Sequence, residues 1–247
     1  MILFFYFVSE GKKYPVCFDY WISDIYYDAD ERYIDKNDLF IKNLTYLISQ
    51  GLNFENVIAD AGFFNKKIVE YLLSRDINFV LRSKSNKKLD NGFKLNQLFE
   101  NDYNGSFYYY HKYKSFLKSD IVSLFDKKVK IVAIANTKQK LVEKELFFLA
   151  TNNLNLKLTG VLVLYKLRWS IEGFFKILKS YLSLSVFYRN NYEYVDQRIS
   201  LSLIAFFIVS HKANDIKQTF YQTLKHIQQN EYSLDIETIL KYCDNCV

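Results

Sequence analysis

Tyr165, Arg168, Glu172 and Lys179 are residues whose types and spacing could do chemistry together in this 247-residue chain. They lie within Tyr165-Lys166-Leu167-Arg168-Trp169-Ser170-Ile171-Glu172-Gly173-Phe174-Phe175-Lys176-Ile177-Leu178-Lys179, where apolar residues recur at helical spacing. The pattern predicts one helix from about Thr159 to Tyr181. At about 100° per residue, the four side chains fall at roughly 0°, 300°, 340° and 320° around its axis. They form one polar stripe beside an apolar arc of Leu164, Leu167, Ile171, Phe174, Phe175 and Leu178. Two uses of such a stripe are open. Arg168 and Glu172 can be an i,i+4 pair worth about 0.2–0.5 kcal/mol. Alternatively, Glu172 is an acid placed for a site, lying at the border of the apolar face with cations one turn before and two turns after it.

A second acid stands far upstream. Val57-Ile58-Ala59 reads as a short buried strand that delivers Asp60 at its C-terminal end, and Gly62 permits a tight exit. A helix is expected from about Asn65 to Ser74, then a strand over Ile77–Leu81. Strand–helix–strand order implies a parallel α/β unit, whose ligands gather beyond strand C-termini. Asp60 is therefore placed for chemistry or, equally on local grounds, caps the following turn.

The spacing Tyr-x2-Arg-x3-Glu-x6-Lys, set in Tyr165 to Lys179, closely resembles the signature of DDE transposases of the insertion-sequence-4 family. Asp60-Ala61-Gly62-Phe63 and Phe79-Val80-Leu81-Arg82-Ser83-Lys84-Ser85-Asn86 resemble two further words of that family, in the same order. The resemblance implies that Asp60 and Glu172 are the second and third catalytic, metal-binding carboxylates. It implies Mg²⁺ or Mn²⁺ at a two-ion site that breaks and joins phosphodiesters. Tyr165, Arg168, Lys179, Arg82, Lys84 and Trp169 become candidate contacts to double-stranded DNA at transposon ends, with a homodimer possible in a synaptic complex. The expected fold is α/β and ribonuclease-H-like, a mixed sheet flanked by helices. The core would comprise residues 1–86 and 146–212, with a β-rich insertion over 87–145 and a helical tail over 213–247.

One part of the family pattern is absent. The first carboxylate belongs to an Asp-Asp-Thr-like word on a central strand, and no such word precedes Gly11. Pro15 to Ile22 resembles the family's third strand, so residues 2–8 take the place of the second. Asp19 and Asp24 are the nearest candidates for a third ligand in a nuclease of this fold. The expectation is an N-terminally truncated transposase, inactive by itself, with strands 2–8 and 56–60 each short of a partner. A non-catalytic DNA-binding or dimerising remnant is the alternative.

Composition agrees and excludes other classes. Half of the residues are hydrophobic, far above a disordered chain, and 22 Phe with 21 Tyr predict an aromatic core. A net charge of +6 fits an anionic partner. Five cations against one anion between Arg82 and Lys94 fit DNA backbone contacts, or a solvated face. Cys17, Cys243 and Cys246 make no disulfide framework, and Cys243-x2-Cys246 has no second pair to complete a zinc site. The N-terminus lacks a signal-peptide pattern, and Leu201–Val209 falls short of the ~20 residues of a span. No membrane role is expected. A bacterial cytoplasmic, nucleoid-associated setting is expected.

Along the chain, strands over 2–8 and 14–22 should form a hairpin, and a helix from about Asn37 to Gln50 should stop at Gly51. Strands are also expected at 105–113, 128–135 and 145–151. Helices should run over Glu193–His211 and, more weakly, near 216–228 and 234–243. His211 and His226 have no ligand-spaced partners and read as structural, while His111 and the tyrosines before it are open to base stacking or to strand packing.

Overall fold

The computed structural model describes residues 2–9, 12–21, 34–100, 107–182, 184 and 192–229. Asp24, Cys243, Cys246 and the helix expected near 234–243 lie outside the described residues. Two compact units divide the chain, Met1–Arg168 and Trp169–Val247.

The first unit opens on an antiparallel hairpin of β1 (Ile2–Ser9) and β2 (Lys12–Tyr20). Its only proline is not at the strand's start. Pairing jumps from Phe5↔Cys17 to Tyr6↔Pro15, which leaves Val16 as the extra residue of a bulge next to the proline, a place where a strand tolerates one. Burial pushes the Tyr6 phenol up to about 12 from an ordinary 10.0. The folded state thus holds this proton more tightly than the unfolded chain. The resulting stability is complete below pH 10 and is lost as pH rises from 10 toward 12. Urea unfolding at pH 9 and at pH 11.5 should show that loss, and Tyr6→Phe should shrink it.

Helix α1 (Lys36–Ser49) follows, one residue ahead of the expected start. Asp35 caps it by accepting from the Asn37 N–H at 3.1 Å. Gly51, at φ +80°, closes it: the Gly51 N–H donates to Ile48 O and the Leu52 N–H to Leu47 O. The Asn43 amide, almost fully buried, ties α1 to β2 by donating to Asp19 Oδ2 at 3.2 Å. Asp19 also meets Lys42 Nζ at 3.4 Å, and the free thiol of Cys17 reaches Asn43 Oδ1 at 3.3 Å. Asp19 thus fastens a strand to a helix.

The main sheet has six strands in the order β3-β4-β8-β7-β6-β5: β3 (Asn56–Ala59), β4 (Asn78–Ser83), β5 (Tyr108–Tyr110), β6 (Ser115–Leu124), β7 (Lys127–Ala135) and β8 (Phe147–Thr151). Between β3 and β4 runs α2 (Lys66–Ser74), and the two strands are parallel, as strand–helix–strand order requires. All other pairs are antiparallel. Among the described residues β3 ladders only with β4, and β1 only with β2.

Alternation along the strands makes two apolar faces. Phe79, Leu81, Ile131, Ala133, Phe148 and Ala150 join a core with α1, α2 and the short helix α3 (Leu95–Glu100). Val80, Val132, Ile134 and Leu149 pack on the other side against Val161, Leu162 and Tyr165 of α5 (Leu158–Lys166), which follows the short α4 (Lys138–Val142) in the chain. The unit is a mixed sheet between helices.

β6 has no counterpart among the strands expected from sequence. Lys118-Ser119-Asp120 interrupts its apolar pattern because its middle is half exposed. Its turn into β7 also lacks the usual glycine, since Phe125 and Asp126 both take positive φ, 58° and 59°. Asp90 holds that turn from elsewhere, accepting from the Phe125 and Asp126 N–H groups at 2.9 and 3.0 Å and from Ser123 Oγ at 2.6 Å. These bonds, Ser123's foremost, draw the Asp90 carboxyl below its usual range.

The second unit contains α6 (Trp169–Tyr181), α7 (Tyr192–Asp215) and α8 (Phe220–Gln228). Phe174 of α6 meets Phe206 of α7 edge-on at 5.0 Å, and Phe206 stacks on Phe220 of α8 at 5.8 Å. Thr219 and Gln222 form a capping box at the start of α8. Among the described residues no single helix is long and apolar enough to cross a membrane.

The helix expected over 159–181 is therefore two helices. At Leu167 and Arg168 the backbone N–H groups donate to Leu164 O and Tyr165 O, three residues back instead of four. That tightened turn ends α5. The polar stripe is divided with it: Tyr165 and Arg168 belong to the first unit, Glu172 and Lys179 to the second.

Candidate active site

Asp60 follows β3 at its C-terminal end and opens a single 3₁₀ turn, Ala61–Phe63. Its backbone C=O accepts from the Phe63 N–H at 3.0 Å, but its side chain makes no cap hydrogen bond. The capping role open at the sequence level is thus not what the carboxylate does. Instead, Tyr165 Oη donates to Asp60 Oδ1 at 3.4 Å, and Arg168 Nη1 donates to Asp60 Oδ2 at 3.5 Å. Arg168 Nε lies 3.4 Å from Oδ1, an ion contact without hydrogen-bond alignment. The carboxylate is 56% exposed and the arginine side chain 18%. An open acid is steered by a largely buried cation.

The sheet explains this meeting. β3 and β4 run parallel with Ala59 opposite Leu81, so Asp60 and Arg82 leave the same end of adjacent strands. Arg82 has the parity of Val80, whose face packs on α5, and its charge acts on Tyr165. Burial raises the Tyr165 pKa above the ordinary 10.0, and Asp60 adds to it, while Arg168 and Arg82 oppose it. The phenol therefore stays protonated at neutral pH and donates. Lys84 lies beyond β4, where its charge, after burial, lowers the Lys87 pKa.

Lys36, which no sequence pattern singles out, also reaches this turn. Its ammonium lies 4.8 Å from the Phe63 ring centre, and a Cβ on Gly62 would come within 2.9 Å of it. The start of α1 is fastened here by Asn65 Nδ2 donating to Asn37 Oδ1 at 2.8 Å and by a Lys67–Asp38 ion pair.

In the second unit, Phe174 and Leu178 form the buried side of α6. Glu172 and Lys179 lie roughly 140–160° around the axis from Phe174 and are both exposed. Glu172 therefore stands opposite the apolar face, not at its border. Trp169 is 56% exposed.

In kind, Asp60 suits a hard divalent ion, being a solvent-facing carboxylate whose described partners include no sulfur or imidazole. Among the described residues no three His, Cys, Asp or Glu side chains form a ready-made metal cluster.

Taken together, the first unit is a ribonuclease-H-like α/β domain, with an acid beyond a parallel strand and basic residues gathered around it. The chain belongs to the transposase DDE domain family, which it matches over residues 37–208, more than half its length. No curated protein matches it. Domains of this family serve DNA transposition, act on transposon-end DNA and use divalent metal ions.

Proposed function

We propose that this chain is the part of an insertion-sequence transposase catalytic domain that carries its second and third carboxylates, Asp60 and Glu172. These would hold Mg²⁺ or Mn²⁺ at the scissile phosphodiester, and without the first carboxylate the chain does not turn over by itself. The observation that carries this reading is the engagement of Asp60. A carboxylate in a capping position leaves the turn uncapped and stands, half exposed, between Tyr165 and Arg168. The acidic residue exposed on α6 and the family match support the second ligand.

A bound divalent ion would polarise a phosphoryl oxygen and activate water or a 3′-hydroxyl for nicking and strand transfer. The chain's own groups do the rest. Tyr165, protonated at neutral pH, fixes the Asp60 carboxylate through one oxygen. Arg168 offers a planar fork matched to phosphate oxygens, and Arg82 adds charge on the same side. Lys84, Trp169 and Lys179 contact the flanking double-stranded DNA. Two copies would meet in the synaptic complex.

Substituting Fe²⁺ for the divalent ion and adding peroxide tests the shared site, because radicals cut the backbone close to a bound iron. Cuts are expected near both residue 60 and residue 172, and both sets should vanish in Asp60→Ala and in Glu172→Ala. Cutting near residue 60 alone, unchanged by Glu172→Ala, would remove Glu172 from the site.

A further inference from the structure

We propose that Lys36 is a positioning residue that holds a DNA phosphate beside Asp60, and that Gly62 lacks a side chain in order to admit its ammonium. The inference rests on the DNA-processing reading above and adds a residue to it. Lys36 belongs to the first turn of α1, whose backbone is fixed there by the Asp35 cap, the Asn65–Asn37 hydrogen bond and the Lys67–Asp38 ion pair. From this anchored start the side chain crosses to the turn after β3. Its Nζ lies 4.8 Å from the Phe63 ring centre and 2.9 Å from where a Gly62 Cβ would be. Real Cβ atoms do not tolerate such an approach, so a larger residue at position 62 would displace the ammonium.

The charge here has no structural counterpart. Lys36 is half buried, and among the described residues no carboxylate pairs with it. Lys36, Arg168 and, through its charge on Tyr165, Arg82 bring cations to the side of Asp60, while Asp35 and Asp38 beside Lys36 are engaged by the Asn37 N–H and by Lys67. Phosphate oxygens are the anions such a group of cations suits. The ring beneath it restricts the ammonium to one side, which turns a flexible lysine into a placed charge.

The test measures binding of the purified chain to a fluorescein-labelled DNA duplex by anisotropy, across a salt series. Lys36→Gln should weaken binding about five- to tenfold near ~0.1 M salt and reduce the slope of log K against log salt by about one. Lys36→Arg should retain most of that slope. Gly62→Ala changes no charge and perturbs only the far end of a flexible side chain. It should nevertheless weaken binding about threefold or more, and it should add nothing in a Lys36→Gln background. Should Lys36→Gln fail to fold, Gly62→Ala decides by itself. Binding that survives Lys36→Gln with an unchanged slope, or Gly62→Ala and Lys36→Gln effects that simply add, overturns this inference while leaving the DNA-processing reading intact. A wild-type chain that binds no duplex overturns both.

Discussion

Phe148→Ala should lower the stability of the first unit by about 3–5 kcal/mol. Phe148 is 1% exposed on β8, the strand flanked by β4 and β7 in the middle of the sheet. Its backbone neighbours, Ser83 and Ala133, are small, so the ring fills the space they leave. It meets Phe99 of α3 at 5.6 Å. Removing the ring forfeits its transfer energy, and laddered backbone on both sides prevents collapse into the hole. At about 2–4 °C per kcal/mol for a chain of this size, calorimetry should show melting about 6–20 °C lower. Tyr108→Ala, on the exposed edge strand β5, should stay within about 0.5 kcal/mol of wild type. If the two variants melted alike, the proposed core would be misassigned.

Asp60→Ala should separate function from stability. Its carboxylate is more than half exposed, so its contact with Arg168 contributes less than about 1 kcal/mol after solvent screening. As a direct ligand it should matter far more. Losing groups that merely orient a metal's ligands costs about 10–100-fold in affinity, and losing a ligand should cost at least as much. Calorimetric titration with Mn²⁺ should show that drop with little change in melting. A carboxylate kept for structure would do the reverse: stability would fall and Mn²⁺ binding would stay as it was.

Parts of this molecule were legible in the sequence for physical reasons that can be named. The helix stop at Gly51 shows because a left-handed residue suits glycine, and Gly51 takes φ +80°. The β3–α2–β4 unit shows because a short apolar run, a helical repeat and a second apolar run can pack in few ways. Other parts carry no local mark. Phe125 and Asp126 turn the chain without glycine because Asp90, far off in sequence, satisfies both N–H groups. The helix break at Leu167–Arg168 contains neither glycine nor proline, so periodicity runs straight through it. Pro15 lies three residues inside β2, next to a bulge that nothing in the neighbouring residue types marks.

The sequence alone determined the family signature, the α/β class and the placement of Asp60 beyond a short strand, because each follows from residue type and short-range periodicity. The strand's burial it did not: at the sheet's edge among the described residues, β3 is only partly buried. The tertiary structure decided what surrounds that acid. Tyr165 and Arg168 reach it from 105 and 108 positions away, and Lys36 reaches the glycine two residues past it. Such meetings depend on which strands pair and which helix covers which face, and no repeat within a short window records that choice.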